Sequence, residues 1–325
     1  MDFGRWTLFE IMRIAHLLTR NVLITFLLFA LAAGAYAQNK PAAEFQSLLN
    51  MRFYEANAGW LVENVQLVFP PAAVPPAELV ITKAGGAGEW RVPLRYEAYQ
   101  QFPAFGNLVP SDGPGGIRID QPGDYMMAVK LGGAVITQLP FSLKLEQGND
   151  PFNPQKRYVR EGPWRDWAFI SVPMDDSTKN INFNWWISAR EFPAGMTNPK
   201  VNVHLLLGNE EIGVTRSPVV PGYIDWTFYN KELVTPAGLK PGTPHYLTMA
   251  DLKRDGDYTV VLKANGQAIK SYKFQVKGGE IQRPENSRLN YEPHAAFISP
   301  RYIDISEGSS SRYRMRDTFW VKKAR

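Results

Sequence analysis

Hydrophobic and polar residues alternate along much of this 325-residue chain after position 50. Val65, Leu67 and Phe69 alternate with Asn64, Gln66 and Val68, and Trp90, Val92, Leu94 and Tyr96 with Glu89, Arg91, Pro93 and Arg95. Further on, Ile181, Phe183, Trp185 and Ile187 alternate with Asn182, Asn184, Trp186 and Ser188, and Val201, Val203, Leu205 and Leu207 with Asn202, His204 and Leu206. Ile224, Trp226 and Phe228 alternate with Asp225, Thr227 and Tyr229. A period of two places one face on a core and the other in water, so each run predicts a half-buried strand. No stretch after residue 50 carries a helical period, and the chain beyond it is expected to be nearly all β. Pro93 has no N–H to give a ladder, which predicts an edge strand. The segment from Gln100 to Gly116 is rich in proline and glycine but carries Phe102, Phe105 and Leu108, which predicts a long loop that holds down a neighbour.

One pattern occurs twice. Gly123-Asp124-Tyr125, Lys130, Gly133, Ile136, Phe141 and Lys144 return without a gap as Gly256-Asp257-Tyr258, Lys263, Gly266, Ile269, Phe274 and Lys277, each 133 positions later. Such self-similarity marks two copies of one supersecondary unit. In each copy a strand opens on the tyrosine, turns at Leu131-Gly132-Gly133 or Ala264-Asn265-Gly266, and returns as a second strand. The unit resembles the last hairpin of an immunoglobulin-like sandwich, whose tyrosine corner bonds its hydroxyl to the backbone a few residues upstream. Tyr125 and Tyr258 are the corner residues this implies; the acid usual four positions before the tyrosine is replaced by Gln121 and Arg254. The resemblance implies two sandwiches in tandem, over residues 50–147 and 156–279. A linker at 148–155, stiffened by Pro151 and Pro154, joins them.

The chain has no cysteine, so neither disulfides nor thiolate metal sites contribute, and 45% apolar content must supply the cores. The first 37 residues form a targeting segment. Arg13 and Arg20 precede an apolar run from Val22 to Ala33, then Ala35-Tyr36-Ala37 offers a small-x-small cleavage pattern. Two outcomes stay open. The segment is removed as a signal peptide, or it stays as a membrane anchor through Phe26, Leu27 and Phe29, with Trp6 and the two arginines at the cytoplasmic interface. Either way the body is expected on the far, periplasmic side of a bacterial membrane, after a polar spacer at 38–49.

The formal charge of +5 is concentrated at the C-terminus, where Arg312, Arg314, Arg316, Lys322, Lys323 and Arg325 face one acid, Asp317. For an exported protein this basic tail points to acidic protein surfaces or anionic lipid, not nucleic acid. The tail, 280–325, also contains short strand patterns at Tyr302 to Ile305 and Thr318 to Val321, and is expected to dock on the second domain or on a partner. Its removal from Arg312 onward is expected to leave both domains folded.

No residues combine into a catalytic, cofactor-binding or metal-ligating pattern. His204, His245 and His294 lack ligand spacing, Ser309 to Ser311 lack a nucleophile elbow, and the Asp and Asn residues near Asp175 and the linker read as turn residues rather than calcium ligands. Trp164, Trp167 and Trp186 do not all fall on inward phases, and Trp320 lies in the tail. Outward tryptophans anchor protein interfaces or stack on sugars. The sequence therefore predicts a non-catalytic accessory subunit that binds other proteins of a membrane complex. Its contact candidates are Phe102, Phe105, Leu108, Trp164, Trp167, Trp186, Trp320, Arg312, Arg314, Arg316, Lys322 and Lys323. A glycan-binding or adhesive module is the alternative.

Overall fold

A computed structural model describes residues 51–54, 59–62, 65–68, 75–86, 88–99, 102–113, 115–147, 156–173, 180–221, 226–239, 245–282, 301–304 and 314–324. These residues form strands joined by turns and short 3-10 helices, and the fold is all-β. In chain order the strands are β1 (Met51–Tyr54), β2 (Gly59–Val62), β3 (Val65–Val68), β4 (Ala77–Lys83), β5 (Glu89–Tyr99), β6 (Phe102–Pro110), β7 (Gly115–Arg118), β8 (Gly123–Leu131), β9 (Ala134–Gln147) and β10 (Lys156–Glu161). They continue as β11 (Trp167–Pro173), β12 (Asn182–Ile187), β13 (Val201–Leu207), β14 (Glu210–Thr215), β15 (Thr227–Val234), β16 (Gly256–Ala264), β17 (Gln267–Lys277), β18 (Glu280–Ile281), β19 (Arg301–Asp304) and β20 (Arg314–Lys323).

The first half makes two sheets, one ordered β1-β2-β7 and the other β10-β9-β8-β4-β5-β6-β3. Leu79 and Ile81 of β4, Met127 and Val129 of β8, and Leu139 and Leu143 of β9 fill the core, together with Ile117 of β7. The second half makes one sheet, β18-β17-β16-β13-β14-β15-β12-β11-β20-β19, which closes into a barrel because β17 also pairs with β20. Phe183 and Trp185 of β12, Val203 and Leu205 of β13, Val260 and Leu262 of β16, and Tyr272 and Phe274 of β17 fill that interior. The run β9-β8-β4-β5 in the first half and the run β17-β16-β13-β14 in the second have the same order and connections.

The duplication extends to atomic detail. The hydroxyl of Tyr258 donates to the carbonyl of Arg254 at 2.8 Å, and that of Tyr125 donates to the carbonyl of Gln121. Both are four residues upstream, and burial raises the pKa of both phenols. The tyrosine rings stack on Phe141 at 5.3 Å and on Phe274 at 5.0 Å. Each hairpin carries a bulge at the same place, between Val129 and Lys130 and between Leu262 and Lys263. Gly123 and Gly256 open the two strands at φ 149° and 153°, backbone that a side chain does not tolerate. Replacing Tyr258 by Phe removes one buried hydrogen bond and is expected to cost about 1 kcal/mol in a denaturation midpoint, with Tyr125→Phe matching it. Unchanged stability in both would show that the hydroxyls hold nothing.

The structure differs from the pattern-based expectations in four places. The segment after Gln100 is the strand β6, paired to β5 and β3 instead of looping out. Its prolines and glycines read as punctuation, but cross-strand partners on both sides hold them in the ladder. Pro93 lies in β5, which is flanked by β4 and β6 and is not an edge. It stands one position beyond the last β5–β6 pair, Leu94 with Pro110, so on that side its missing N–H falls at a ladder end. Trp226 and Phe228 pack on the outer face of the barrel wall, while Tyr229 stacks on Trp185 at 5.7 Å toward the interior; the aromatic phase meets the covered outer face of the wall, so alternation alone assigned it to the wrong side. Finally, the tail does not merely dock. β20 is built into the barrel wall, with seven residues paired to β11. The linker at 148–155 and the N-terminal segment lie outside the described residues, and β10, just beyond the linker, adds an edge to the first half's larger sheet.

Candidate functional site

The barrel wall made by β15, β12, β11 and β20 buries its inner face and, along β12, β11 and the middle of β20, most of its outer face as well. Cross-strand register sets its outer face out in rows: Thr318, Ser171, Asn182 and Glu232; then Trp320, Phe169, Asn184 and Asn230; then Lys322, Trp167, Trp186 and Phe228. One end of this face is polar and the other aromatic. Asn184 donates from Nδ2 to the Ser171 hydroxyl at 2.9 Å, and Asn182 donates to Asn230 at 2.7 Å. Arg316 is fully buried and donates to the carbonyls of Ser171 at 3.3 Å and Asn180 at 3.1 Å. Placing an arginine in the interior requires such carbonyls, since an unpaired buried charge is strongly destabilising.

At the aromatic end Trp186 lies 4.9 Å from Phe228 and stacks at 6.2 Å on Trp320, which lies 4.6 Å from Phe169. Trp164 and Trp226 belong to the same apolar cluster, and that cluster runs without a break into the core of the first half. Cations are set among these rings. The Arg160 guanidinium, at the end of β10, lies 4.6 Å over Trp164 and donates to the Trp226 carbonyl at 3.4 Å. Lys270 of β17 lies 5.0 Å over Trp226 and pairs with Glu191 at 2.9 Å. Its Nζ also donates to the carbonyl of Trp186 at 3.4 Å. Around them Arg190 bridges Glu161 at 3.4 Å and Glu146 at 3.5 Å, tying the 3-10 turn Ala189–Glu191 to β10 and β9. Desolvation lowers the pKa of Lys270, against the opposing charge of Glu191. A lysine of this kind suits base or nucleophile chemistry when a reactant reaches it, but its side chain is 1% exposed and its amine is engaged on three sides. The cluster is thus an ion-pair and cation–π junction between the two halves.

Trp164 reaches this position by folding back over the preceding backbone. A Cβ on Gly162 would overlap its ring, so Gly162→Ala is expected to displace the indole from Arg160 and cost on the order of 1–3 kcal/mol in chemical denaturation. Wild-type stability in that variant would mean the ring moves freely.

The contact candidates fall into separate groups. Trp164, Trp186 and Trp320 are brought together, but in the interior, and Leu108 is wholly buried in the first core. Neither an open platform for sugars nor a docking surface is formed by these four. Trp167 is half-buried, edge-on to Trp320 at 6.5 Å with the exposed Lys322 5.8 Å over its ring. Phe102 and Phe105 lie in β6 opposite Tyr99 and Val68. Arg314 and Arg316 lie in β20, Arg316 inside and not on a basic surface; Lys323 is half-buried. Arg312 and the anchor residues Trp6, Arg13, Arg20, Phe26, Leu27 and Phe29 lie outside the described residues, as do His294, Asp175 and the linker acids. His204 bonds Glu211 at 2.6 Å across β13 and β14. Sequence reading missed Arg160, Glu191 and Lys270. Lys270 leaves a trace, because it shares the inward phase of Tyr272, Phe274 and Val276, where a charge requires a buried partner.

No family model matches the chain, and no curated protein or solved structure matches it either.

Proposed function

We propose that this chain is a non-catalytic, exported accessory subunit whose two immunoglobulin-like domains bind and brace other proteins of a membrane-associated complex. The shared strand order, β9-β8-β4-β5-β6-β3 in the first half and β17-β16-β13-β14-β15-β12 in the second, and the paired tyrosine corners support the immunoglobulin-like assignment. One observation carries the role: the aromatic and ionic junction that makes the first core and the barrel wall continuous. A chain that spends tryptophans and charges on locking two domains together presents partners with one fixed surface, where a flexible tandem would present two independent ones. The apolar run Val22 to Ala33 supports delivery to a membrane, from which the body faces the periplasm or its equivalent. Fold alone does not assign function, so the role is testable only in the native setting.

The test is to solubilise native membranes in mild detergent, size the protein by native electrophoresis and weigh the intact chain. An assembly of constant composition well above 36.7 kDa is expected, with the chain keeping its N-terminal segment. A chain starting at Gln38 that migrates as a lone monomer would overturn the role.

A further inference from the structure

The strand that closes the barrel comes from far away in the chain. β17 ends at Lys277 and β18 at Ile281, yet the wall stays open until β20, which begins at Arg314. Among the described residues the first half has no counterpart to it: its matching order β9-β8-β4-β5-β6-β3 stops at β3, where the second half runs on from β12 to β11 and β20. Among the described residues, closure by such a strand is seen in the second half only.

Both faces of this strand are specific. Arg316, Thr318 and Trp320 are buried in the outer rows at 0, 2 and 5% exposure, while Val321 is buried and Phe319 packs against the barrel interior. One edge pairs with β11 from Trp167–Lys322 to Pro173–Arg316. The other edge is divided: β19 takes Arg314 to Asp317, and β17 takes only Lys322 and Lys323. In that short seam Lys273 stands directly across from Lys322, and like charges opposite one another weaken a strand pair. The slot thus reads a sequence through side-chain pockets and backbone ladder together, as in strand addition. β19 pairs with β20 and travels with it, and the 18 residues from 283 to 300 reach at most about 60 Å when extended, enough to carry the pair to a neighbouring molecule.

We propose that β20 is an exchangeable donor strand, and that the slot between β11 and β17 accepts the same strand from a second copy of this chain. The contacts made in cis and in trans are identical, so the balance is set by local concentration: dilute chains close on themselves, and crowded chains link by exchange. The exchange needs no other protein and stands apart from the accessory role.

The absence of native cysteine makes the test direct. Opposed residues on antiparallel strands lie within disulfide range. Lys273→Cys on one chain and Lys322→Cys on another, distinguishable by mass, are mixed, unfolded in denaturant, refolded together over a range of concentrations and oxidised. A chain bearing both substitutions reports closure in cis. The expected result is a Lys273→Cys to Lys322→Cys linked pair of chains whose yield rises with concentration, with little linkage when Lys322→Cys is paired with the exposed Arg118→Cys. Closure in cis without any linked pair, or linkage to Arg118→Cys at equal yield, would overturn the proposal.

Discussion

A chain ending at Pro300 is expected to lose the cooperative unfolding transition of its second half and to bind hydrophobic dyes at 25 °C. The cut removes β19 and β20 and with them Phe319, Trp320 and Val321 from two packed faces. Each such side chain contributes roughly 1.5–3 kcal/mol by burial, so the three together approach the 5–15 kcal/mol that separates a folded domain from its unfolded state. The cut also strips seven ladder partners from β11 and the guanidinium that satisfies the carbonyls of Ser171 and Asn180. This reverses what the basic tail suggests from sequence, that its loss leaves both domains folded and only weakens attachment to a partner. Circular dichroism melts of the full and shortened chains decide it: a second-half transition at the full-length temperature would mean that the barrel closes without β20.

Glu191→Ala is expected to destabilise the protein by about 3 kcal/mol, the lower part of the range for breaking a buried pair, because Glu191 keeps 18% of its side chain exposed. Lys270 is then left without its counter-charge beside Trp226. The double variant Lys270→Met with Glu191→Leu is expected to recover most of the loss, since removing both charges leaves none to desolvate. The titration adds a second reading. In the folded chain Lys270 holds its proton less tightly than the ordinary lysine value of 10.5. The unfolded state therefore binds more protons between that lowered value and 10.5, and stability rises with pH across this alkaline window and falls as pH drops back through it. Lys270→Met is expected to flatten that slope and Glu191→Ala to steepen it. Urea midpoints across the alkaline range give the answer, and identical slopes in all three proteins would mean that Lys270 is not the group responsible.

The parts of the fold legible in sequence are those fixed by neighbours close along the chain. The two hairpins, their bulged strands and their corners are local: the tyrosine finds its acceptor four residues away. Alternation in Val201 to Leu207 and in Glu89 to Tyr96 also held, because one face of each strand meets a core and the other carries polar groups. Legibility failed wherever a second surface covers the first. Trp186 and Asn184 lie on the outward phase of β12 and are buried all the same, since the outer face of this wall is covered too. Arg316 looks like part of a basic tail until the carbonyls of Ser171 and Asn180, 145 and 136 residues away, are placed around it. Lys270 finds Glu191 79 residues away, and Arg160 finds the Trp226 carbonyl 66 residues away; spacing along the sequence says nothing of such meetings.

The position of β20 also sets a schedule. Lys322 pairs with Trp167 at the start of the second half, so the barrel's wall joins strands from opposite ends of that stretch of chain. The first half can complete its sheets as soon as β10 has emerged, whereas the second must wait with β11 bare until β20 has been made. A chain stalled before Arg314 has a barrel wall without its closing strand, and its second half stays open to proteases and chaperones. Folding of the second half therefore registers whether the chain has been made as far as β20, because that strand alone pairs with both β11 and β17 among the described residues.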